Sequence, residues 1–108
     1  MARAEIAAIL AEAGLPVVYH EWPDGSEPKF PCIRYVYDGD GSFMADNTVY
    51  RKVDRWSATL VSDWKDDASE AAVESALESH GIVYSKSADV RVDSEKLTQV
   101  EYTFSYAR

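Results

Sequence analysis

The densest group of potential ligands in the chain is Asp38-Gly39-Asp40-Gly41-Ser42, two carboxylates spaced by glycines in the manner of a calcium loop. An EF-hand loop needs a carboxylate at its first position, glycine at its sixth and a bidentate glutamate at its twelfth. Aligning Gly41 with the sixth position puts Val36 first and Asn47 twelfth, and no helix is expected before it. The run therefore reads as a turn that uses Gly and Asp for their permissive φ. His20 beside Glu21 has the composition of a general base with an orienting acid. His80 is far from it in sequence and Cys32 is the single cysteine, so no pair stands at transition-metal spacing. No serine sits in a nucleophile elbow and no glycine run has phosphate-loop spacing. A chain without a catalytic constellation is expected to be no enzyme and to need no cofactor.

A length of 108 residues falls in the single-domain range, which predicts one domain over 1–108 that must also carry any partner surface. With 46% hydrophobic and 12% aromatic residues the chain should fold rather than remain a charge-solvated coil. At this size the core is modest, so further burial between subunits is physically attractive. The net charge of −8 disfavours binding to a phosphate backbone, which needs Lys and Arg to displace counterions. An acidic chain suits instead a channel that DNA passes without adhering, or a mimic of DNA that blocks a basic protein. One cysteine permits no intramolecular disulfide. The N-terminal Met1-Ala2-Arg3-Ala4-Glu5-Ile6 reads as neither signal peptide nor membrane span, and a cytoplasmic place of assembly is expected.

Periodicity supplies the elements that would position any surface. Ile6, Ile9, Leu10 and Ala13 recur at i, i+3, i+4 and i+7, predicting a helix from Ala2 to Ala13 stopped by Gly14 and Pro16. Val17 to Trp22 predicts a short strand, and the prolines from Pro23 to Pro28 a loop. Ile33, Tyr35 and Tyr37 alternate with Arg34, Val36 and Asp38 as a half-buried strand. A wide loop to about Thr48 follows, then a long strand from Val49 to Asp63 with Trp56, Ala58 and Leu60 on one face and Arg55, Ser57 and Thr59 on the other. A second helix begins near Asp66 or Asp67, where Asp67 and Glu70 have capping-box spacing, with Ala72, Val73, Ala76, Leu77 and His80 as its apolar stripe before Gly81. Its outer face would carry Glu70, Glu74 and Glu78, like charges at i, i+4 and i+8 that suit solvent or a basic neighbour in an assembly. A final hairpin runs Ile82 to Val92, turns at Asp93-Ser94-Glu95-Lys96, and returns from Leu97 to Tyr106 with Val100, Tyr102, Phe104 and Tyr106 on the core side. The order α-β-β-β-α-β-β predicts an α+β fold: one mainly antiparallel sheet with a long hairpin, packed against two helices. Tyr19, Tyr50 and Trp64 fall outside the clear buried faces, as aromatics at interfaces do.

Three segments together carry a resemblance: Phe30-Pro31-Cys32-Ile33-Arg34-Tyr35, Ala45-Asp46-Asn47-Thr48-Val49-Tyr50 and Asp93-Ser94-Glu95-Lys96-Leu97-Thr98-Gln99-Val100. They resemble the tail terminator, or tail completion, proteins of long-tailed bacteriophages and prophages. The most specific part is Ala-Asp-Asn-x-x-Tyr followed by the basic run Arg51-Lys52-Val53-Asp54-Arg55; the chain departs from the pattern in the Pro23–Pro28 loop and in its tryptophans. The resemblance implies a structural virion protein of the neck, assembled in the host cytoplasm. It would form a ring, expected to be a homo-hexamer, that caps the head-proximal end of the tail tube. Its partners would be further copies of itself, the major tail tube protein and the head-tail connector or head-closure protein, with DNA passing through the lumen and no membrane involved. The interface residues it implies are Asp46, Asn47, Tyr50, Arg51, Lys52 and Arg55, joined by the Glu70, Glu74 and Glu78 stripe. A head-closure component, and an acidic inhibitor that mimics DNA, are the competing expectations.

Overall fold

In a computed structural model, which describes residues 2–20, 30–40, 43–45, 48–51, 53–94 and 96–107, the described residues form two helices and eight strands. Helix α1 covers Ala2–Ala11 and ends in a turn at Gly14, whose φ of 80° is the left-handed value a side chain resists. It buries Ile6, Ile9 and Leu10, as their spacing predicts. Strand β1, Val17–Tyr19, is shorter than expected and runs parallel to β2, Cys32–Asp40, pairing Val17 with Ile33 and Tyr19 with Tyr35. The loop predicted from Pro23 to Pro28 lies outside the described residues.

The central hairpin departs from the sequence reading. Of the strand expected from Val49 to Asp63, the described residues form β4, Thr48–Arg51, and β5, Val53–Ser62, with Lys52 between them outside the described residues, while the expected wide loop contains β3, Phe43–Ala45. Strands β2 and β5 pair antiparallel from Cys32–Val61 to Asp40–Asp54, with a register shift between Tyr37 and Gly39. There Gly39 adopts a φ of 111°, and a bulge of this kind bends and twists a ribbon. Past it, among the described residues, β3 pairs with β4, Phe43 opposite Arg51 and Ala45 opposite Thr48.

Helix α2, Asp67–Ser79, is capped by Asp66, whose side chain accepts from the Ser69 backbone N–H. The Asp67–Glu70 capping box therefore does not form; Asp66 and Ser69 hold that spacing one position earlier. After Gly81, at a φ of 71°, the expected single strand from Ile82 to Val92 is broken into β6, Tyr84–Lys86, and β7, Val90–Val92. Both pair with β8, Leu97–Ala107, but their registers differ by one residue, Tyr84 opposite Phe104 and Val90 opposite Gln99, so the edge bulges between them.

The six-stranded sheet has the order β1-β2-β5-β8-β6, with β7 also on β8. Its pairings are antiparallel except β1–β2, and with two helices packed on it the fold is α+β as predicted. One cluster unites Ile6, Ile9 and Leu10 of α1 and Val73 and Leu77 of α2 with Ile33, Tyr35, Trp56, Ala58, Leu60, Val100, Tyr102 and Phe104. Both helices thus lie on one sheet face. Each wholly buried large side chain there, such as Leu77 or Tyr102, contributes about 1.5–3 kcal/mol. Among the described residues no helix covers the other face. Ser57 and Thr59 on that face are nonetheless buried, because they are short side chains on a strand flanked by β2 and β8. No helix of the described residues is long and apolar enough to cross a membrane.

Candidate assembly surfaces

The glutamate stripe of α2 turns inward at Glu70 and in part at Glu74, which corrects the expectation of an outer face for these two, while Glu78 stays exposed. Glu70 is only 4% exposed. Its two carboxylate oxygens meet Lys65 Nζ at 2.8 Å and Lys86 Nζ at 2.8 Å. Glu74 is partly buried and accepts from Lys86 Nζ at 2.7 Å and from the Tyr102 hydroxyl at 2.9 Å. Exposed Glu78 accepts from the Tyr84 hydroxyl at 2.7 Å. Lys65 also reaches Asp89 at 2.9 Å, tying the loop before β7 to the loop before α2. The hydrogen bond from Lys86 holds the Glu74 carboxyl below the usual carboxylate range, while Glu70 and Glu74 push Lys86 up. The bond to Glu78 raises Tyr84 to about 12, and burial, then the bond to Glu74, raises Tyr102. The basic neighbours foreseen for this stripe are therefore lysines of the same chain, brought across by β6 and by the turn that precedes the helix. Glu70, Glu74 and Glu78 join the fold to itself.

Arg55 meets the opposite fate. It is exposed on β5, opposite Ser105 of β8, and has no hydrogen-bond or ion-pair partner among the described residues. It lines a groove of about 790 Å³ together with Val53, Val83, Ser85, Thr103 and Ser105. Val83, which the sequence reading did not single out, is 87% exposed there. Of the other predicted interface residues, Tyr50 and Arg51 lie on β4, where the register with β3 skips Tyr50. Asp46, Asn47 and Lys52 lie outside the described residues; Ala45 and Thr48, on either side of the first two, pair with each other.

A second exposed surface lies at the other end of the sheet. Trp64, suspected from sequence, is 68% exposed, and the Arg91 guanidinium stacks on its ring 4.5 Å from the centroid. Arg91 is held in turn, donating to the Asp63 carbonyl oxygen at 2.7 Å and to Thr98 Oγ1 at 3.1 Å. The indole is thus fixed in place while most of it stays in water. Tyr19, grouped with Trp64 in the sequence reading, differs: it is half-buried and packs edge-on against Tyr35 beneath Arg3. The His20 ring meets the Tyr19 ring edge-on, and its backbone takes a φ of 67°. His80, expected near the end of α2, is its C-cap residue and lies 2.7 Å from Glu12 beyond α1, where it joins the two helix ends. It is exposed and does not belong to the buried stripe.

The three segments that carry the resemblance divide between these ends. Cys32 faces Val61, which faces Gln99, so the first and third segments meet at the Trp64 end. The second belongs to the β3–β4 ribbon at the end where Arg55 and the groove lie. No protein-family model matches this chain, and comparison with curated proteins yields no match either.

Proposed function

We propose that this chain is a phage tail terminator. Copies of it close into a ring, a homo-hexamer in this reading, that sits on the head-proximal end of the tail tube, halts tube growth and offers its other side to the head connector. The observation that carries the reading is the β3–β4 ribbon, which extends the central hairpin beyond β2 and β5 and carries, among the described residues, Ala45 and Thr48 to Tyr50 of the segment on which the resemblance chiefly rests. A two-stranded ribbon is marginal in water by itself, so it calls for a neighbour to pack against. A tube of head-to-tail rings renews the same growing face at every addition, and growth stops only at a ring whose lower face fits and whose upper face does not. A subunit with chemically different ends suits that role, and this one has a groove lined by the exposed Arg55 at one end and a pinned tryptophan at the other. The acidic balance suits a lumen through which DNA slides.

The inhibitor reading is weakened by the same geometry. A mimic of DNA must offer its carboxylates to a partner, and those of Glu70 and Glu74 are occupied by Lys65, Lys86 and Tyr102. The head-closure reading shares the ring and differs in its site on the particle.

The test is to add the protein to polymerising tail-tube subunits and measure tube lengths and end labelling by electron microscopy. Short tubes bearing the protein at one end are expected; unchanged lengths with bare ends would sink the reading. The double substitution Asp46→Ala with Asn47→Ala should leave the circular dichroism spectrum intact and abolish capping. Global unfolding of that variant would make the segment a structural turn only.

A further inference from the structure

We propose that the groove beside Arg55 seats an extended segment from a second copy of this chain, which pairs with the outer edge of β8 at Ser105–Ala107 and sets a carboxylate against the Arg55 guanidinium. Three observations converge on it. On its inner side β8 is paired with β5 as far as Ala107, which faces Val53; on its outer side the ladder with β6 stops where Phe104 faces Tyr84. Among the described residues the last positions of β8 therefore have a strand on one side only. Their orientation follows from the edge below. Glu101 accepts from the Ser87 N–H at 2.8 Å and its own N–H donates to Ser87 Oγ at 2.9 Å, so the Glu101 backbone groups face outward. Alternation along a strand turns those of Thr103, Ser105 and Ala107 to the same side.

The second observation is the shape beside that edge. The chain leaves α2 through the left-handed Gly81 and joins β8 only at Tyr84, and the groove opens along this stretch. Val83 stands in it almost fully exposed, an apolar contact for a side chain that arrives with an added strand. An edge with unpaired amide groups is a template for another strand unless something covers it, and strand addition draws its affinity from the main chain and its selectivity from the flanking side chains.

The third observation is charge. Among the described residues Arg55 is the single charged one lining the groove and has no partner, and Ser105 opposite it on β8 is too small to block its reach across that strand to the edge. It therefore selects an acidic segment. This chain carries 19 acidic residues against 11 basic ones, so another copy supplies that chemistry. One arginine is too little for a nucleic-acid backbone, whose binding scales with the number of phosphates neutralised. The inference rests on the ring reading only in naming a second copy as the occupant, since heterologous contacts of this kind close into rings.

The experiment is sedimentation velocity on the full chain over a range of concentrations, alone and with tail-tube subunits present, for the wild type, Arg55→Glu, Val83→Asp and the control Arg34→Glu on the same sheet face. Both test residues are exposed, so circular dichroism should be unchanged. The wild type and the control should self-associate alike, and each test variant should do so at least tenfold more weakly. Test variants that associate as the wild type does, or a wild type that stays monomeric under both conditions, would overturn the proposal. The two readings separate cleanly. If rings form and cap tubes regardless of Arg55 and Val83, the groove proposal falls and the terminator reading stands. If association depends on both residues yet tube length is unaffected, the groove proposal stands and the terminator reading falls.

Discussion

Lys86 and Arg55 flank the same strand, β8, and differ in everything that matters. Lys86, on the outer strand, points to the helix side, where Glu70 and Glu74 hold it at 2.8 and 2.7 Å. Arg55, on the inner strand, points to the face without a helix and meets no partner among the described residues. A charge neutralised inside the chain specifies how α2 sits on the sheet; a charge left unpaired beside an open strand edge is a property of the surface. The comparison predicts that the two regions can be damaged independently, the first at the expense of stability and the second at the expense of association.

The largest effect should come from Lys65→Met combined with Lys86→Met, which strands the buried Glu70 carboxylate without a cation. Loss of about 3 kcal/mol is expected, read from the urea midpoint, because an uncompensated buried charge is strongly destabilising. Lys86→Met alone should cost much less, since Lys65 remains 2.8 Å from Glu70. A double variant no weaker than the single one would break the comparison.

Acid should reveal the same network. The Glu74 carboxyl is held below its usual range by the bond from Lys86, so its contribution is complete above an unfolded value of about 4.3 and is lost as pH falls through the lower folded value. Lys86 is raised, so its contribution is complete below its ordinary value of about 10.4 and is lost as pH climbs through the higher folded one. Thermal melts should therefore fall at acid pH, and Glu74→Gln should flatten that limb; an unchanged slope would remove Glu74 from the account.

Asp66→Ala should cost about 1 kcal/mol by removing the helix cap, with the glutamate contacts intact. Smallest of all, Arg55→Glu should move the urea midpoint by the equivalent of no more than about 0.5 kcal/mol, as expected of an exposed substitution. A large loss there would mean that Arg55 belongs to the fold and not to an interface.

Much of the fold was legible because it rests on local repeats. The alternation from Val100 to Tyr106 was plain, and so were the helical stripes and the glycines at 14 and 81 that end them. The inward turn of the glutamates had a signal that the charge pattern masked: Glu70, Val73 and Leu77 stand at i, i+3 and i+7, so Glu70 shares the spacing of the buried stripe. Strand β3 had no comparable mark, since the stretch from Gly39 to about Thr48 reads as a wide loop and Phe43 to Ala45 become a strand only by facing Thr48 to Arg51. For the candidate site, the sequence nominated Arg55 and Trp64 but not Val83 or Arg91, whose exposure and stacking depend on where their strands end.

By itself the sequence determined the elements and the side of each that is apolar, because backbone geometry sets those periods within a few residues. Only the tertiary structure decided what each polar side chain faces. Lys86 reaches Glu70 across sixteen positions of chain because β6 is laid beside β8 beneath α2, and Arg55 meets no partner among the described residues because its place on β5 turns it to the face away from α2. Electrostatic pairing depends on distance in space, and the alternation of residues along a chain carries no record of that distance.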